Sequence, residues 1–363
     1  MAKKKNKGGR FFGITSRVLM LILAGLSVLS YGSMLINPAK AWSLSLFGLM
    51  FVPLSIANLV LLLWAVKRRS RSFVIPFLAL LPSFFFIGRY VQAEEPDLTQ
   101  VQDPTLTIMT YNVGRFSLHD RNRGVKDRIQ CADSIFTFIR KHNPDIVCLQ
   151  EFRISDVEKV RSYLKSQMQD YNVEFYLFPM SGGSAFGNVT LSRIPVKGKG
   201  KIKFEESANL AIYTDYQVQG RSFRVYNCHF ESYNISLPGI IRGLLQADRS
   251  VFSETGQKMK RSITRRPKQV DKVFRDIEQC PVESFVCGDF NDNPMSYTYL
   301  RMTRGRKDSF REAGYGFGAT FARLWPLLRI DYILFPDRFR ALTHKTHRVP
   351  FSDHYPVITT IEL

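Results

Sequence analysis

Two short polar segments near the C-terminal end of the chain carry side chains that could act together in catalysis. They are residues 288–292 (GDFND) and residues 352–354 (SDH), and each adjoins an apolar, β-branched run. Carboxylate, amide and imidazole groups at strand ends suit a metal-assisted attack on a phosphoester. Mg²⁺ prefers oxygen ligands, and the attacking water must be aligned and deprotonated. The pattern therefore predicts a metal-dependent site.

Further polar residues stand at the ends of strand-like runs, and each has an ordinary explanation when taken alone. Asn112 is a common turn former, and Glu151 could simply be the first exposed residue after a buried strand. His229 could be a core histidine with satisfied hydrogen bonds. Asn227 lies two residues before His229, so both side chains face the same side of one strand.

Asp331 is harder to explain as an ordinary structural residue. It lies inside an apolar strand-like run, residues 329–333 (RIDYI). A carboxylate in such a place must be paired or ligated. An imidazolium is the obvious kind of partner, and His354 could provide it.

The elements that position these residues alternate along the chain. Helical apolar spacing is present in residues 128–141, 157–168 and 268–277. Strand-like runs cover residues 106–111, 145–149, 174–178, 189–194, 211–218, 223–229, 284–287, 329–334 and 357–361. Many strands with few helices indicate two stacked sheets with helices outside.

As an ordered set, the motifs resemble the endonuclease/exonuclease/phosphatase superfamily over residues 106–363. In chain order they are residues 111–112 (YN), 144–151 (PDIVCLQE), 227–229 (NCH), 288–291 (GDFN), 329–333 (RIDYI) and 352–354 (SDH), with smaller similarities at 187–195 and 266–269. The resemblance implies an α/β fold of the DNase-like kind, a four-layered α/β/β/α sandwich. It places the site in a cleft at one end of the sheets.

The resemblance also implies a role for each site residue. The metal, Mg²⁺ or alternatively Mn²⁺, would be held by Glu151, with Asn112 and Asp353 near or on it. Asp289 would orient and deprotonate the attacking water, and Asp331 would position His354 as the stabilising or acid–base group. The implied catalytic residues are Asp289, Asn291, His229, His354 and Asp331. The implied phosphate-binding residues are Asn227, Asn291 and His229.

The positive charge of the chain is concentrated in its N-terminal quarter. Of the 51 Lys and Arg residues, twelve precede Glu94, and no Asp or Glu occurs there. Hence +12 of the formal net charge of +20 lies in this quarter. The high pI is mostly a membrane-topology signal and only weak evidence for a nucleic-acid partner.

Three apolar stretches, residues 18–36, 42–66 and 73–91, predict about three transmembrane helices within residues 1–92. A linker, residues 93–104, and a catalytic domain, residues 105–363, follow. Basic clusters before the first stretch and between the second and third mark the cytoplasmic side. Three spans therefore predict a multi-pass protein of the inner or plasma membrane with a periplasmic catalytic domain.

Two alternatives to this topology stay open. Residues 39–41 (AKA) resemble a signal-peptidase site, and cleavage there would leave the placement of the large domain unchanged. A re-entrant third segment would instead place that domain in the cytoplasm.

The five cysteines predict buried free thiols rather than a disulfide framework or a zinc site.

The family resemblance does not select a substrate, because function resides in loops added to the fold. Residues 232–267 combine an apolar stretch with basic residues. Such residues could bind a lipid bilayer or follow a nucleic-acid backbone. Because three membrane spans would confine the site near lipid, the favoured partner is the lipid bilayer and the favoured phosphate-ester substrate a phospholipid or phosphorylated envelope lipid. The apolar contacts would come from Ile240, Ile241, Leu244 and Leu245. The alternatives are an extracytoplasmic nuclease acting on DNA or RNA, and a non-catalytic membrane interaction protein.

Overall fold

A computed structural model describes residues 7–95, 101, 104–117, 125–233 and 249–363. The helices are α1 (Lys7–Ser33), α2 (Trp42–Leu49), α3 (Phe51–Lys67), α4 (Val74–Leu80), α5 (Val125–His142), α6 (Val160–Gln167), α7 (Arg249–Gln279), α8 (Tyr297–Met302) and α9 (Ser309–Ala313). The strands are β1 (Val91–Gln92), β2 (Thr105–Asn112), β3 (Ile146–Ile154), β4 (Asn172–Pro179), β5 (Ala185–Ser192), β6 (Gly198–Lys203), β7 (Leu210–Val218), β8 (Arg221–His229), β9 (Glu283–Asp289), β10 (Arg306–Asp308), β11 (Gly316–Phe317), β12 (Asp331–Pro336), β13 (Arg340–Thr346) and β14 (Val357–Glu362).

Two six-stranded sheets form the centre of the molecule. Their strand orders are β13-β14-β2-β3-β5-β4 and β10-β12-β9-β8-β7-β6. Each sheet has one parallel pair at its centre, β2 with β3 and β8 with β9, and its other neighbours are antiparallel. The carboxyl ends of these two parallel pairs are where the candidate site forms.

The four layers follow from side chains that alternate along the central strands. In β9, Phe285 and Cys287 enter the core between the two sheets, whereas Val286 packs with Val270 and Phe274 of α7. Both faces of this strand are apolar because helices cover the outer face. On the other side, α5 and α6 cover the first sheet. The predicted DNase-like α/β arrangement of two sheets is therefore confirmed.

The predicted elements differ from the structure chiefly around residues 232–267. Residues 249–279 form the continuous helix α7, with Pro267 inside it. The sequence prediction began this helix at residue 268 because proline disfavours a helix interior. The apolar residues 240–245 that were expected to contact lipid lie outside the described part of the chain.

All five cysteines are free, as predicted, and four of them are buried.

The N-terminal region contains fewer long helices than hydropathy predicts. In the described residues, one segment, Ile14–Ser33 of α1, is long and apolar enough to cross a membrane alone. The second stretch is the pair α2 and α3, bent by 55°. Pro53 explains the break, because proline fits the first turn of α3 and not a helix interior. The third apolar helix, Arg71–Phe85, is shorter.

The N-terminal helices pack directly against the large domain. Met34, Phe51, Tyr90 and Met295 form one small apolar cluster, called here the junction cluster. The side-chain amide of Asn293 donates to the carbonyl of Gly48 at 2.9 Å. The linker that the sequence predicts at residues 93–104 is described only in part.

Candidate active site

The carboxyl ends of the two parallel strand pairs meet and bring four candidate residues together. Asn112 ends β2 and Glu151 lies in β3, while His229 ends β8 directly beside Asp289 at the end of β9. The Asn112 amide donates to Asp289 Oδ2 at 2.8 Å across the gap between the sheets. The stacking of the sheets therefore assembles the site from residues far apart in sequence.

Asp289 is a buried carboxyl group surrounded by hydrogen-bond donors. It is 1% exposed and accepts the backbone N–H of Asn291 at 2.8 Å and its side-chain amide at 3.1 Å. Burial raises the pKa of Asp289 to about 7, although His354 and the amide of Asn112 act in the opposite direction. A carboxyl group with a pKa near neutrality can both accept and release a proton.

His354 is held in its charged form by two carboxylates. Its Nδ1 lies 2.9 Å from Asp331 Oδ2, and its Nε2 lies 3.8 Å from Asp289 Oδ2. Burial alone would lower the pKa of His354, but Asp331 and Asp289 raise it to about 10. Asp331 stands directly opposite Asp289 in the β12–β9 register, so the imidazolium separates two like charges.

His229 is the second imidazole of the cluster, and its pKa is shifted in the opposite direction to that of His354. Its Nε2 lies 3.7 Å from Glu151 Oε1 and 3.9 Å from Asp289 Oδ2. Neither ring nitrogen has a hydrogen-bond partner among the described residues, although the side chain is buried. Burial lowers the pKa of His229, which keeps the ring neutral. Such an unpaired buried donor can hydrogen-bond an incoming ligand.

Glu151 differs from the buried Asp289 and Asp331 because it stays open to solvent. It sits at an irregularity between β3 and β5 with a φ of 53°, a left-handed conformation that costs a non-glycine residue about 1–3 kcal/mol. Its side chain is 24% exposed, and Arg115 Nε lies 3.3 Å from its Oε2. The strained backbone turns this carboxylate toward the cluster instead of along the strand.

The C-terminal motif closes the site around the end of β2. Ser352 Oγ donates to the carbonyl of Asn112 at 2.8 Å. Asp353 is partly buried, with Arg323 Nη2 3.6 Å from its Oδ2. Gly114 has a φ of 54°, and a Cβ at this position would lie 2.9 Å from Ser352 Oγ. The close approach therefore needs a glycine just after Asn112.

The sequence and the fold both match known proteins. Residues 109–354, more than half of the chain, match the sequence model of the Endonuclease/Exonuclease/phosphatase family. The chain belongs to this family. Residues 10–90 match a domain of unknown function (DUF8431). No curated protein sequence matches the chain.

Solved structures share the fold of this endonuclease/exonuclease/phosphatase domain at low sequence identity. A family member from Beutenbergia cavernae has a TM-score of 0.52 and 21% identity and covers 72% of each chain. One from Bacteroides vulgatus has a TM-score of 0.52 and 18% identity, over 72% of this chain and all of that chain. Humanized D. rerio TDP2 has a TM-score of 0.51 and 17% identity, over 71% of this chain and 99% of that chain. At these identities the similarity establishes the fold alone.

The oxygen donors around Glu151 fit the divalent metal that this family typically uses. Glu151, Asn112 and Asp353 supply carboxylate and amide oxygens, which hard cations prefer. Glu151 is paired only loosely, at 3.3 Å from Arg115, so its oxygens are available. Asp289, Asp331 and His354 also lie close enough to hold an ion, within 4.8 Å of one another. That trio suits an acid–base role better, because a protonated His354 cannot ligate a metal.

Asn227 has its side-chain amide engaged between the two sheets. Its amide nitrogen donates to the carbonyls of Leu149 at 3.2 Å and Val189 at 2.9 Å, and its oxygen accepts from Gln150 at 2.8 Å. These bonds join the two sheets and use the polar atoms that a phosphate would need. This arrangement favours a role for Asn227 in joining the two sheets, while the predicted phosphate contact stays a prediction.

Asn291 also has its amide engaged inside the protein. Its nitrogen donates to the carbonyl of Phe230 at 2.9 Å and to Asp289 at 3.1 Å. Its φ of 52° marks the turn that follows β9. This arrangement favours positioning of Asp289, while the predicted phosphate contact stays a prediction.

Arg115 is the site residue that the sequence reasoning missed. It has a φ of 60°, and its guanidinium lies over the Phe186 ring at 4.8 Å and beside Glu151. An arginine in a turn after Asn112 has no distinctive spacing. The one available signal was Gly114, which marks an unusual turn at the end of β2.

Proposed function

We propose that this protein is a membrane-tethered, divalent-metal-dependent phosphoesterase whose favoured substrate is a phospholipid or phosphorylated envelope lipid. The observation that carries the proposal is a buried carboxyl group, Asp289, beside a buried imidazole, His354, which Asp331 holds in place. Asp289 has a pKa near 7, and it lies 3.8 Å from an imidazolium with a pKa of about 10. Buried titratable groups that lie together and whose pKa values are shifted mark a candidate acid–base site.

Each residue of the cluster has a part in hydrolysis of a phosphate ester. Asp289 would take the proton of the attacking water, and His354, fixed by Asp331, would stabilise charge on the phosphoryl group. The neutral His229 would donate a hydrogen bond to a phosphoryl oxygen. Glu151, with Asn112 and Asp353, would hold Mg²⁺ or Mn²⁺. When bound, that ion would polarise the phosphoryl group.

A bundle of apolar helices with two chemically different ends supports the proposed tether. At one end, Arg17 Nε donates to Ser72 Oγ at 3.0 Å, near Lys67, Arg68 and Arg69. At the other end, the junction cluster contacts the large domain. Basic residues prefer the cytoplasmic side, which favours a periplasmic catalytic domain. An alkaline phosphatase fused after Gln92 should be active, and an inactive fusion would refute this placement.

The lipid substrate is favoured because the tether keeps the site near a bilayer. A nuclease needs a basic track for the nucleic-acid backbone together with stacking groups. The similarity of this chain to D. rerio TDP2 establishes only the fold and does not select a substrate. Cleavage of nucleic acid, which would indicate a nuclease, and no turnover at all, which would indicate a non-catalytic membrane protein, are therefore the alternative results of the test.

The test uses the full chain in nanodiscs with Mg²⁺. Substrates are vesicles of phosphatidylglycerol and phosphatidylethanolamine, duplex DNA, single-stranded RNA and the soluble diester bis(p-nitrophenyl) phosphate. Glu151→Gln should lose at least about 10²-fold in turnover, whereas the exposed-helix control Glu158→Gln should keep it. DNA or RNA cleavage without lipid turnover would replace the lipid proposal with the nuclease. Equal turnover by the Glu151→Gln protein would refute the mechanism.

A further inference from the structure

An exposed aromatic surface lies on the segment that leads into β12. Tyr315 is 61% exposed, Phe317 51%, Trp325 40% and Leu327 41%. The Phe317 and Trp325 rings meet edge to face at 5.9 Å, and both line a cleft of about 550 Å³ together with Tyr315. Single exposed apolar residues are ordinary, but a group of large ones marks an interaction site. These four residues are called here the aromatic patch.

The aromatic patch is joined to the end of the apolar N-terminal helices. β1 pairs with β11, with Val91 opposite Phe317, and the amide of Gly318 donates to the carbonyl of Tyr90 at 2.9 Å. Just before this point the helical region ends with Phe84 and Phe85, which are 75% and 80% exposed. The patch therefore continues an apolar surface that begins on the helices.

Arginines beside the patch give it the composition of a membrane interface. The guanidinium of Arg348 lies over the Trp325 ring at 4.9 Å. Arg323 lies in the same segment, on the turn before Trp325. Aromatic rings with one polar edge, together with arginines that can reach phosphates, are typical of the headgroup region of a bilayer.

The same segment contacts the candidate active site. Phe321 forms a β-bridge with His354, and the amide of Ala322 donates to the carbonyl of Asp353 at 2.9 Å. Arg323 also pairs with Asp353 at 3.6 Å. Trp325 follows Ala322 by three residues, which span at most about 11 Å. A headgroup contacted by Trp325 is therefore within one short loop of Asp353.

We propose that the aromatic patch inserts into the headgroup region of the bilayer that holds the N-terminal helices and presents lipid phosphates to the site. This inference rests on the proposed membrane tether and phosphoesterase function. The occupant is the bilayer and not a second copy of the chain, because the patch continues directly from the apolar helices. It assigns Trp325 and Leu327 a role in binding the membrane and none in the chemical step.

The first test measures insertion without any activity. The chain has three tryptophans, so Trp42→Phe with Trp64→Phe leaves Trp325 as the sole emitter. The full-length variant in nanodiscs with brominated phosphatidylcholine should lose at least half of its fluorescence. A matched control variant lacks all three native tryptophans and carries Tyr176→Trp in β4 instead. The side chain of Tyr176 contacts Lys201 and Lys203 of β6, the edge strand opposite β10 in the second sheet. This control variant should keep its emission. Trp325 emission unaffected by bromine would overturn the proposal.

The second test separates delivery from chemistry. Trp325→Ser with Leu327→Ser should lower turnover of vesicle-borne phospholipid at least tenfold and leave turnover of bis(p-nitrophenyl) phosphate unchanged. Equal vesicle turnover by the variant and the unmodified protein would overturn the delivery role. If the unmodified protein hydrolyses neither substrate, the phosphoesterase function and the delivery role both fail, and the bromine experiment alone decides membrane insertion.

Discussion

His229 and His354 lie beside the same carboxylate and yet take opposite charge states. Each has one nitrogen within 4 Å of Asp289 Oδ2, at 3.9 Å and 3.8 Å. Burial dominates at His229 and lowers its pKa, whereas the hydrogen bond to Asp331 helps to raise the pKa of His354. The hydrogen-bonded carboxylate of Asp331 therefore contributes most to the difference in charge between the two imidazoles.

Asp331→Asn should remove the charge on His354 while keeping the shape of its partner. We expect kcat on bis(p-nitrophenyl) phosphate to fall about 10²–10⁴-fold, with a smaller change in KM, because a positioned acid–base group contributes about this much. The pKa of His354 is about 10, so activity that needs the imidazolium falls as pH rises past that value. In the variant this alkaline limb of the pH–rate profile should move to lower pH.

The control for this pH–rate profile is Asp337→Asn, an exposed aspartate in the turn after β12. It should leave both kcat and the alkaline limb where they are. An alkaline limb that does not move in the Asp331→Asn protein would contradict the assignment of His354.

The site residues differ in how far the sequence revealed them. Asp331 was predictable because a carboxylate inside an apolar strand needs a charged partner, and the contact with His354 is present. The hydrogen bonds of Asn227 between the sheets were not predictable, because alternation predicts which face a side chain occupies and not whether that face is the core or the cleft. Arg115 was missed because its contact with Glu151 depends on a left-handed turn that spacing does not reveal.

At the scale of elements, the parallel pair β8–β9 depends on a glycine. Gly288 has a φ of 135°, and a Cβ there would lie 1.9 Å from the carbonyl oxygen of Cys228. Gly288→Ala must therefore separate the strands that end in His229 and Asp289. We expect more than about 4 kcal/mol of destabilisation, or no folded protein, measured by chemical unfolding in detergent.

The same substitution at Gly256 is the matched control. This glycine lies on the exposed side of α7, and a Cβ there meets no atom within 4 Å. Alanine stabilises an exposed helix interior by about 0.5–1 kcal/mol relative to glycine. If the two variants were equally stable, the close approach of β8 and β9 would be wrong.

A buried ion pair joins the end of β10 to the residues just before β12 and should govern the acid stability of this edge of the second sheet. Arg329 Nη2 lies 2.6 Å from Asp308 Oδ2, with both side chains at most 2% exposed. Burial would raise the pKa of Asp308, but Arg329 and the hydroxyl of Tyr299 lower it overall. Because the folded-state pKa is below the unfolded value of about 3.9, the stabilisation is complete above that value and is lost as pH falls below it.

Asp308→Asn should therefore cost about 3–5 kcal/mol at pH 7, since Arg329 keeps its charge without a counter-ion. Below pH 4 the variant should lose less additional stability than the unmodified protein. Glu283→Gln breaks a more exposed pair with Arg338 and should change stability by at most about 1 kcal/mol. A similar cost for both variants at pH 7 would contradict the role of the buried pair.

At the scale of the whole molecule, the N-terminal helices are part of the support of the candidate active site. The segment that follows Asp289 runs through Asn293 to Met295, which is fully buried in the junction cluster. Arg89 Nη1 also donates to the carbonyl of Pro294 at 2.7 Å. Hydropathy predicted apolar segments but not this docking, because backbone carbonyls accept most of the bonds and carry no sequence signal.

Gly48→Ala should disturb this junction, whereas Gly32→Ala should not. A Cβ on Gly48 would lie 2.7 Å from the carbonyl oxygen of Met295, while one on Gly32 meets nothing within 4 Å. Both glycines are the second-last residue of their helices, so the two substitutions are closely matched. Moving α2 away would also break the hydrogen bond from Asn293 to the carbonyl of Gly48. The buried amide left unpaired would cost about 1–3 kcal/mol of stability.

Hydrogen exchange of the full chain in nanodiscs gives the readout for these two proteins. In the Gly48→Ala protein, amides of residues 293–300 should exchange at least tenfold faster, and turnover of bis(p-nitrophenyl) phosphate should fall with them. Because Asn291 precedes this segment by two residues and holds Asp289, loosening it acts on the acid–base pair itself. If residues 293–300 exchange equally in both proteins, the helices are a tether and nothing more.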